Sequence, residues 1–158
     1  MRLLYLTPTA SMGGAERVLL DLVGMVRQAR PSWSLGLIVG NDGPLAVEAR
    51  RHGVETMVLP FPRGFARLGD TSLTGVQPWL RFLRHASVGG LALTGYVGRL
   101  SSAIRAFSPD IVHSTGFKMH VLSAVAAKSS GASVIWHFHD YLGARSEEHT
   151  SELQSRFG

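Results

Sequence analysis

Five short runs of this chain are apolar at almost every position rather than at every second one: residues 3–6, 35–39, 56–59, 111–114 and 133–138. A strand with one wet face alternates in polarity; a strand covered on both faces does not. The stretches between the runs change period. Val18, Leu19, Leu22, Val23 and Val26 fall on one face of a helix that starts at Ala15 and ends near Ala29, before Pro31. On another face Arg17 and Asp21 lie four apart, close enough to pair. Pro44 opens a second helix that Gly53 stops. Residues 61–75 read as loop and 76–107 as largely helical, with a break at Gly89-Gly90. A last helix covers about 118–129. Strand and helix thus alternate through β-α-β-α-β-α-β-α-β. That order predicts an α/β, Rossmann-like, doubly wound parallel sheet with right-handed crossovers.

At 158 residues the chain has room for about one domain with a real core. It has no cysteine, which removes disulfide frameworks and thiolate metal sites and fits a reducing compartment. No segment reaches the ~20 apolar residues that span a bilayer. The start, MRLLYLTPT, reads as a first strand and not as a signal peptide. The expected location is therefore cytoplasmic. The net charge of +5 suits phosphate-bearing ligands, nucleic acid or an anionic membrane face without choosing among them. No helix-turn-helix, zinc or RNA-recognition motif supports nucleic acid.

The composition breaks after Ala144. The segment Arg-Ser-Glu-Glu-His-Thr-Ser-Glu-Leu-Gln-Ser resembles the translation of a sequencing-adapter oligonucleotide, and residues 145–158 are read as an artefactual tail. The alternative is a short capped polar helix. Without the tail's two arginines and three glutamates the balance is +6. Residues 1–144 are then the legible domain.

Ligands bind such sheets beyond the carboxyl ends of the strands. The loop Pro8-Thr9-Ala10-Ser11-Met12-Gly13-Gly14 lies there, directly before a helix. It is neither G-x-G-x-x-G nor a P-loop, which needs a lysine after its last glycine. Its glycines either make a tight turn or let a ligand approach the backbone. With Gly13 as N-cap, Glu16 falls at the third helical position, where a carboxylate satisfies free amides and suits the dipole. The other reading has Glu16 accept hydrogen bonds from a sugar.

Four motifs in register carry a resemblance. Gly13-Gly14-Ala15-Glu16-Arg17 follows the first strand. Gly43-Pro44-Leu45 precedes the helix ending Arg51-His52-Gly53-Val54. Ser108-Pro109-Asp110-Ile111-Val112-His113-Ser114 forms the fourth strand, and residues 134–141 close in His139-Asp140. Over about residues 2–142 the chain resembles the amino-terminal, acceptor-side domain of retaining family-four glycosyltransferases. Those enzymes have the GT-B architecture, two Rossmann-like domains with the active site between them. The resemblance implies a truncated parent of hexosyltransferase type. It would move a sugar from a nucleoside-diphosphate sugar, a co-substrate rather than a bound cofactor, to a hydroxyl of a saccharide or lipid-linked acceptor. It places Gly13, Gly14, Glu16, His139, Asp140, Thr115 and Lys118 at the donor and acceptor. Thr115 stands where the family often has a second histidine. No catalytic residue is assigned, because the family's donor-gripping residues lie in the second domain; the chain alone should be inactive.

His137 and His139, two apart, share a strand face. As a metal site they lack a third ligand, so no metal is expected; a core or turn role is the alternative to sugar contact. His120 and His52 read as surface or cap residues. Arg63, Arg67, Arg81, Arg84, His85, Arg99 and Arg105 run among Phe61, Phe65, Trp79 and Phe82. They read either as a solvated helix face over an aromatic stripe or as a peripheral contact with the inner membrane face. Two rival functions remain: a non-catalytic α/β ligand-binding module, or half of a nucleotide-dependent oxidoreductase. The oxidoreductase lacks its glycine fingerprint and an acid after the second strand, which ends Val39-Gly40.

Overall fold

The computed structural model describes residues 1–62 and 90–138. Five strands, β1 (Arg2–Thr7), β2 (Ser34–Val39), β3 (Glu55–Val58), β4 (Ile111–Thr115) and β5 (Ser133–His137), form one sheet in the order β3-β2-β1-β4-β5. Every neighbouring pair is parallel. The helices are α1 (Gly14–Ala29), α2 (Pro44–Arg51), α3 (Gly90–Phe107) and α4 (Phe117–Ala126), the last followed by a 3-10 turn, Ala127–Ser129. The doubly wound α/β fold expected from the continuous apolar runs is the fold observed.

Strand parity divides the core into two layers. Leu3 and Tyr5 of β1 pack with Leu19 and Val23 of α1 and with Leu45, Ala46 and Ala49 of α2. Leu4 and Leu6 point the other way, onto Tyr96, Leu100, Ile104 and Phe107 of α3 and Met119, Leu122 and Ala126 of α4. Each large apolar side chain buried this way contributes about 1.5–3 kcal/mol. Phe107 sits so close to β2 that a Cβ on Gly36 would lie 2.7 Å from its ring, so glycine is required in mid-strand there.

Some details differ from the sequence reading. Val18, placed on the buried face of α1 by its spacing, is 46% exposed. Among the described residues the ion pairs are Arg50–Asp42 and Arg51–Glu48, and the Arg17–Asp21 pair is not formed. The last helix stops at Ala126 rather than near 129, because Ser130 turns its N–H and hydroxyl onto the Ala127 carbonyl and Gly131 takes φ +72°. The expected helix over 76–107 is seen from Gly90 onward. The loop over 61–75, the arginines of 63–89, His139, Asp140 and the tail lie outside the described residues. No helix among those described is long and apolar enough to cross a membrane.

Candidate functional site

The direction of the sheet's growth reverses between β1 and β4, and in parallel sheets this reversal opens a crevice at the carboxyl ends. Two loops meet there. The first, residues 8–13, joins β1 to α1. It is pinned locally by hydroxyls: Thr7 Oγ1 donates to the Thr9 carbonyl, 3.3 Å, and the Ser11 N–H donates to Thr9 Oγ1, 3.1 Å. Gly13 is the N-cap of α1 in extended conformation. Its N–H donates to Glu16 Oε2, 3.1 Å, so Glu16 takes the capping position expected of it. Arg17 donates the first helical bond, to the Gly13 carbonyl, 3.2 Å. The N–H groups of Gly14, Ala15 and Glu16 have no acceptor among the described residues, as the start of any helix leaves them.

Gly14 has a further property. A Cβ placed on it would meet nothing within 4 Å, and its φ is not left-handed. Neither backbone conformation nor packing among the described residues requires glycine at this position.

The second loop joins β4 to α4. Gly116 is its pivot, with φ +77°, a left-handed value that favours glycine. A Cβ there would lie 3.0 Å from the Pro8 ring, so the two loops are in contact. Thr115 is buried, and its hydroxyl donates to the Leu6 carbonyl, 3.4 Å, tying β4 to β1. Lys118 stands in the first turn of α4 with Nζ 6.0 Å from the centre of the Phe61 ring. Of the residues singled out from sequence, Gly13, Gly14, Glu16, Thr115 and Lys118 therefore gather at one end of the sheet, on its two adjoining loops.

Below this rim, on the α1 side, runs a row of polar rings that the sequence reading did not join. Tyr5 and His113 are register partners on β1 and β4, with ring centroids 5.4 Å apart. His113 meets His137 of β5 edge-on at 5.3 Å. The signal was available: all three occupy positions of one strand parity near carboxyl ends. Tyr5 Oη is buried and has no hydrogen-bond partner among the described residues, and burial pushes its phenol up to about 12. No cluster of three His, Asp or Glu side chains among the described residues could hold a metal ion.

His120, expected at the surface or in a cap, is instead 1% exposed. Its Nδ1 lies 2.9 Å from Ser114 Oγ, and its ring stacks on Trp136 at 5.6 Å. Ser123 donates to the His120 carbonyl, 2.9 Å. This serine–histidine pair faces the α3–α4 layer and joins α4 to β4 and β5; it is packing, closed to a substrate. His52 does cap α2, as expected.

No family model matches the chain, and no curated protein matches it. Solved structures do. The Anabaena HepE protein, described in complex with UDP and glucose, is 20% identical with a TM-score of 0.59, over 90% of this chain and 31% of that one. A glycosyltransferase from Rickettsia africae is 14% identical with a TM-score of 0.55, over 85% of this chain and 28% of that one. The C-terminal domain of a Pyrococcus furiosus hydrogenase is 11% identical with a TM-score of 0.50, over 86% and 90%. Likeness at these identities shows the fold alone. That fold is Rossmann-like, of the kind that forms one half of the GT-B architecture. The chain spans about a third of the length of the glycosyltransferase chains it matches.

Proposed function

We propose that the chain is the acceptor-side half of a retaining family-four glycosyltransferase that moves a sugar from a nucleoside-diphosphate sugar to an acceptor hydroxyl. The observation that carries this reading is the meeting of two loops at the switch point, one followed by Gly14, a glycine that nothing among the described residues requires. A glycine exposed at a helix start, free of φ and packing constraints, is explained by a ligand that comes close to the backbone. HepE, which shares the fold, is described with UDP and glucose.

On this reading the first-turn amides of α1 and the Lys118 ammonium face the diphosphate and offset the charge it gains as the bond to the sugar breaks. Glu16 Oε2 is committed to Gly13, and Oε1 is left to accept from an acceptor hydroxyl. His139 and Asp140 contact the donor sugar, and Thr115 supports the β4 corner from within. The acceptor is a saccharide or a lipid-linked sugar, and the basic residues of 63–105 rest against the inner membrane face. A second domain completes the site around the nucleoside, so the chain by itself turns nothing over while it still contacts the diphosphate, and residues 145–158 take no part. The Pyrococcus hydrogenase domain favours the oxidoreductase alternative, but β2 ends without the acid that would read a ribose.

Titrating UDP into the isotope-labelled chain tests the proposal. Amide shifts are expected at residues 9–16 and 116–118, and Gly14→Val should remove them while the unfolding midpoint stays within about 0.5 kcal/mol of the unmutated chain. Shifts confined to other surfaces, or an unaltered response in the valine variant, overturn it. Saturable micromolar binding of a nicotinamide dinucleotide would favour the oxidoreductase.

A further inference from the structure

Loop 8–13 has no regular structure, yet it is held from behind. The Ala10 N–H donates to Asn41 Oδ1, 3.0 Å, and the Ala10 carbonyl accepts from the Leu45 N–H, 3.0 Å. Both backbone polar groups of Ala10 are thus bonded to the β2–α2 turn, and Ala10 is fully buried. The Asn41 side-chain amide donates to the Asp42 carbonyl, 3.1 Å, which fixes which way its oxygen points. The turn's glycines complete the seat. A Cβ on Gly40 would overlap the Pro8 carbonyl oxygen, and one on Gly43 would lie 2.6 Å from the Ala10 carbonyl oxygen. Gly43 has φ 167°, an ordinary extended value, so close approach and not backbone strain is what requires glycine.

Among the described residues, the remaining bonds of residues 8–12 run among Thr7, Thr9 and Ser11. Such neighbour bonds shape the loop but cannot fix it relative to the sheet. Among the described residues, the hydrogen bonds that anchor residues 8–12 to another element are the one Asn41 accepts and the one Leu45 donates. Leu45 uses its backbone, which any residue supplies. Asn41 uses its side chain, and its own position is exposed.

We infer that Asn41 is a positioning residue for ligand binding at Gly13 and Gly14: by holding Ala10 it sets where the first turn of α1 points. The inference rests on the function proposed above. The requirement is for an acceptor oxygen at this spot, so aspartate should serve and alanine should not.

The test uses the 158-residue chain with Asn41→Ala and Asn41→Asp. Amide hydrogen exchange at Ala10 should rise about tenfold in the alanine variant, the loss expected from one hydrogen bond, while exchange in β4 stays unchanged. The apparent dissociation constant read from UDP-induced shifts at Gly13 and Gly14 should rise about three- to tenfold, and the aspartate variant, which keeps the acceptor but adds a charge, should restore the exchange protection. Unchanged exchange at Ala10 overturns the clasp, and a uniform rise that includes β4 reduces it to ordinary stability. A looser Ala10 with unaltered UDP binding overturns the positioning role. If the unmutated chain gives no UDP response, the parent proposal falls and takes the positioning role with it, while the exchange result still decides the clasp by itself.

Discussion

Tyr5 shows how one side chain ties the core to the site. Its ring fills the α1 layer and meets His113, but its hydroxyl has no partner among the described residues. A buried hydroxyl in that state gains little from the fold and resists ionisation. An unfolded tyrosine ionises near 10; burial holds Tyr5 up to about 12. Between those values the unfolded chain has released a proton that the folded chain keeps, so stability present below pH 10 is lost as pH climbs toward 12. Two pH units correspond to about 3 kcal/mol at most. Burial raises Tyr96 in the same direction, against a smaller opposing effect of Arg99. Tyr5→Phe should therefore match or slightly exceed the unmutated chain in urea at pH 7 and lose less stability between pH 10 and 11.5. Equal alkaline slopes for the two proteins would show that the phenol is not the cause. No property of the sequence announces an orphaned hydroxyl in mid-strand, because Tyr5 is simply one apolar position among four.

Among the elements, α1 is held at both ends by different means. Its start is capped by Glu16; its end is joined to the rest of the layer by Arg27. That guanidinium donates to the carbonyls of Trp33, 2.9 Å, and Gly53, 3.0 Å, and more distantly to Pro31 and His52, both at 3.4 Å. It thereby links the end of α1, the entry to β2 and the end of α2, where helix carbonyls lack internal donors. Arg27→Leu should cost about 2 kcal/mol in urea unfolding, and Arg27→Lys should recover less than half, since an ammonium cannot fork across several carbonyls. A lysine variant as stable as the arginine would show that charge alone suffices. The contrast with the sequence reading is physical. Strand and helix positions follow from local period, and the five apolar runs were legible to within a residue or two. So was the glycine loop, placed by a strand before it and a helix after it. Arg27, Asn41 and His120 were not legible as structural residues. Their partners lie 26, 31 and 6 positions away on other elements, and period carries no information about which polar atoms meet across a packed layer.

At the scale of the whole molecule the two sheet edges differ. Edge strands are ordinarily blunted by charge, proline or cover, because their unpaired amides recruit other chains. β3 begins with Glu55. β5 carries no Asp, Glu, Lys or Arg, and Val134, Ile135 and Trp136 are 36%, 46% and 48% exposed, with Phe138 just beyond at 44%. Alternate residues face opposite sides, so both faces near this edge are apolar and open. On α1, Val18 and Met25 lie seven apart on the flank opposite Arg27, which reaches toward α2, and Met25 is 61% exposed. Across the sheet Val125 of α4 is 59% exposed beside the same strand's layer. Apolar exposure gathered along one edge, rather than scattered, marks a surface that associates. The 158-residue chain should therefore self-associate with rising concentration through β5, and Ile135→Lys should lower its average mass in light scattering. Ile135 is the substitution of choice because it faces away from the His120–Trp136 stack and leaves that packing intact. A chain that stays monomeric at hundreds of micromolar, or a lysine variant that associates equally, would show that this edge is not the associating surface.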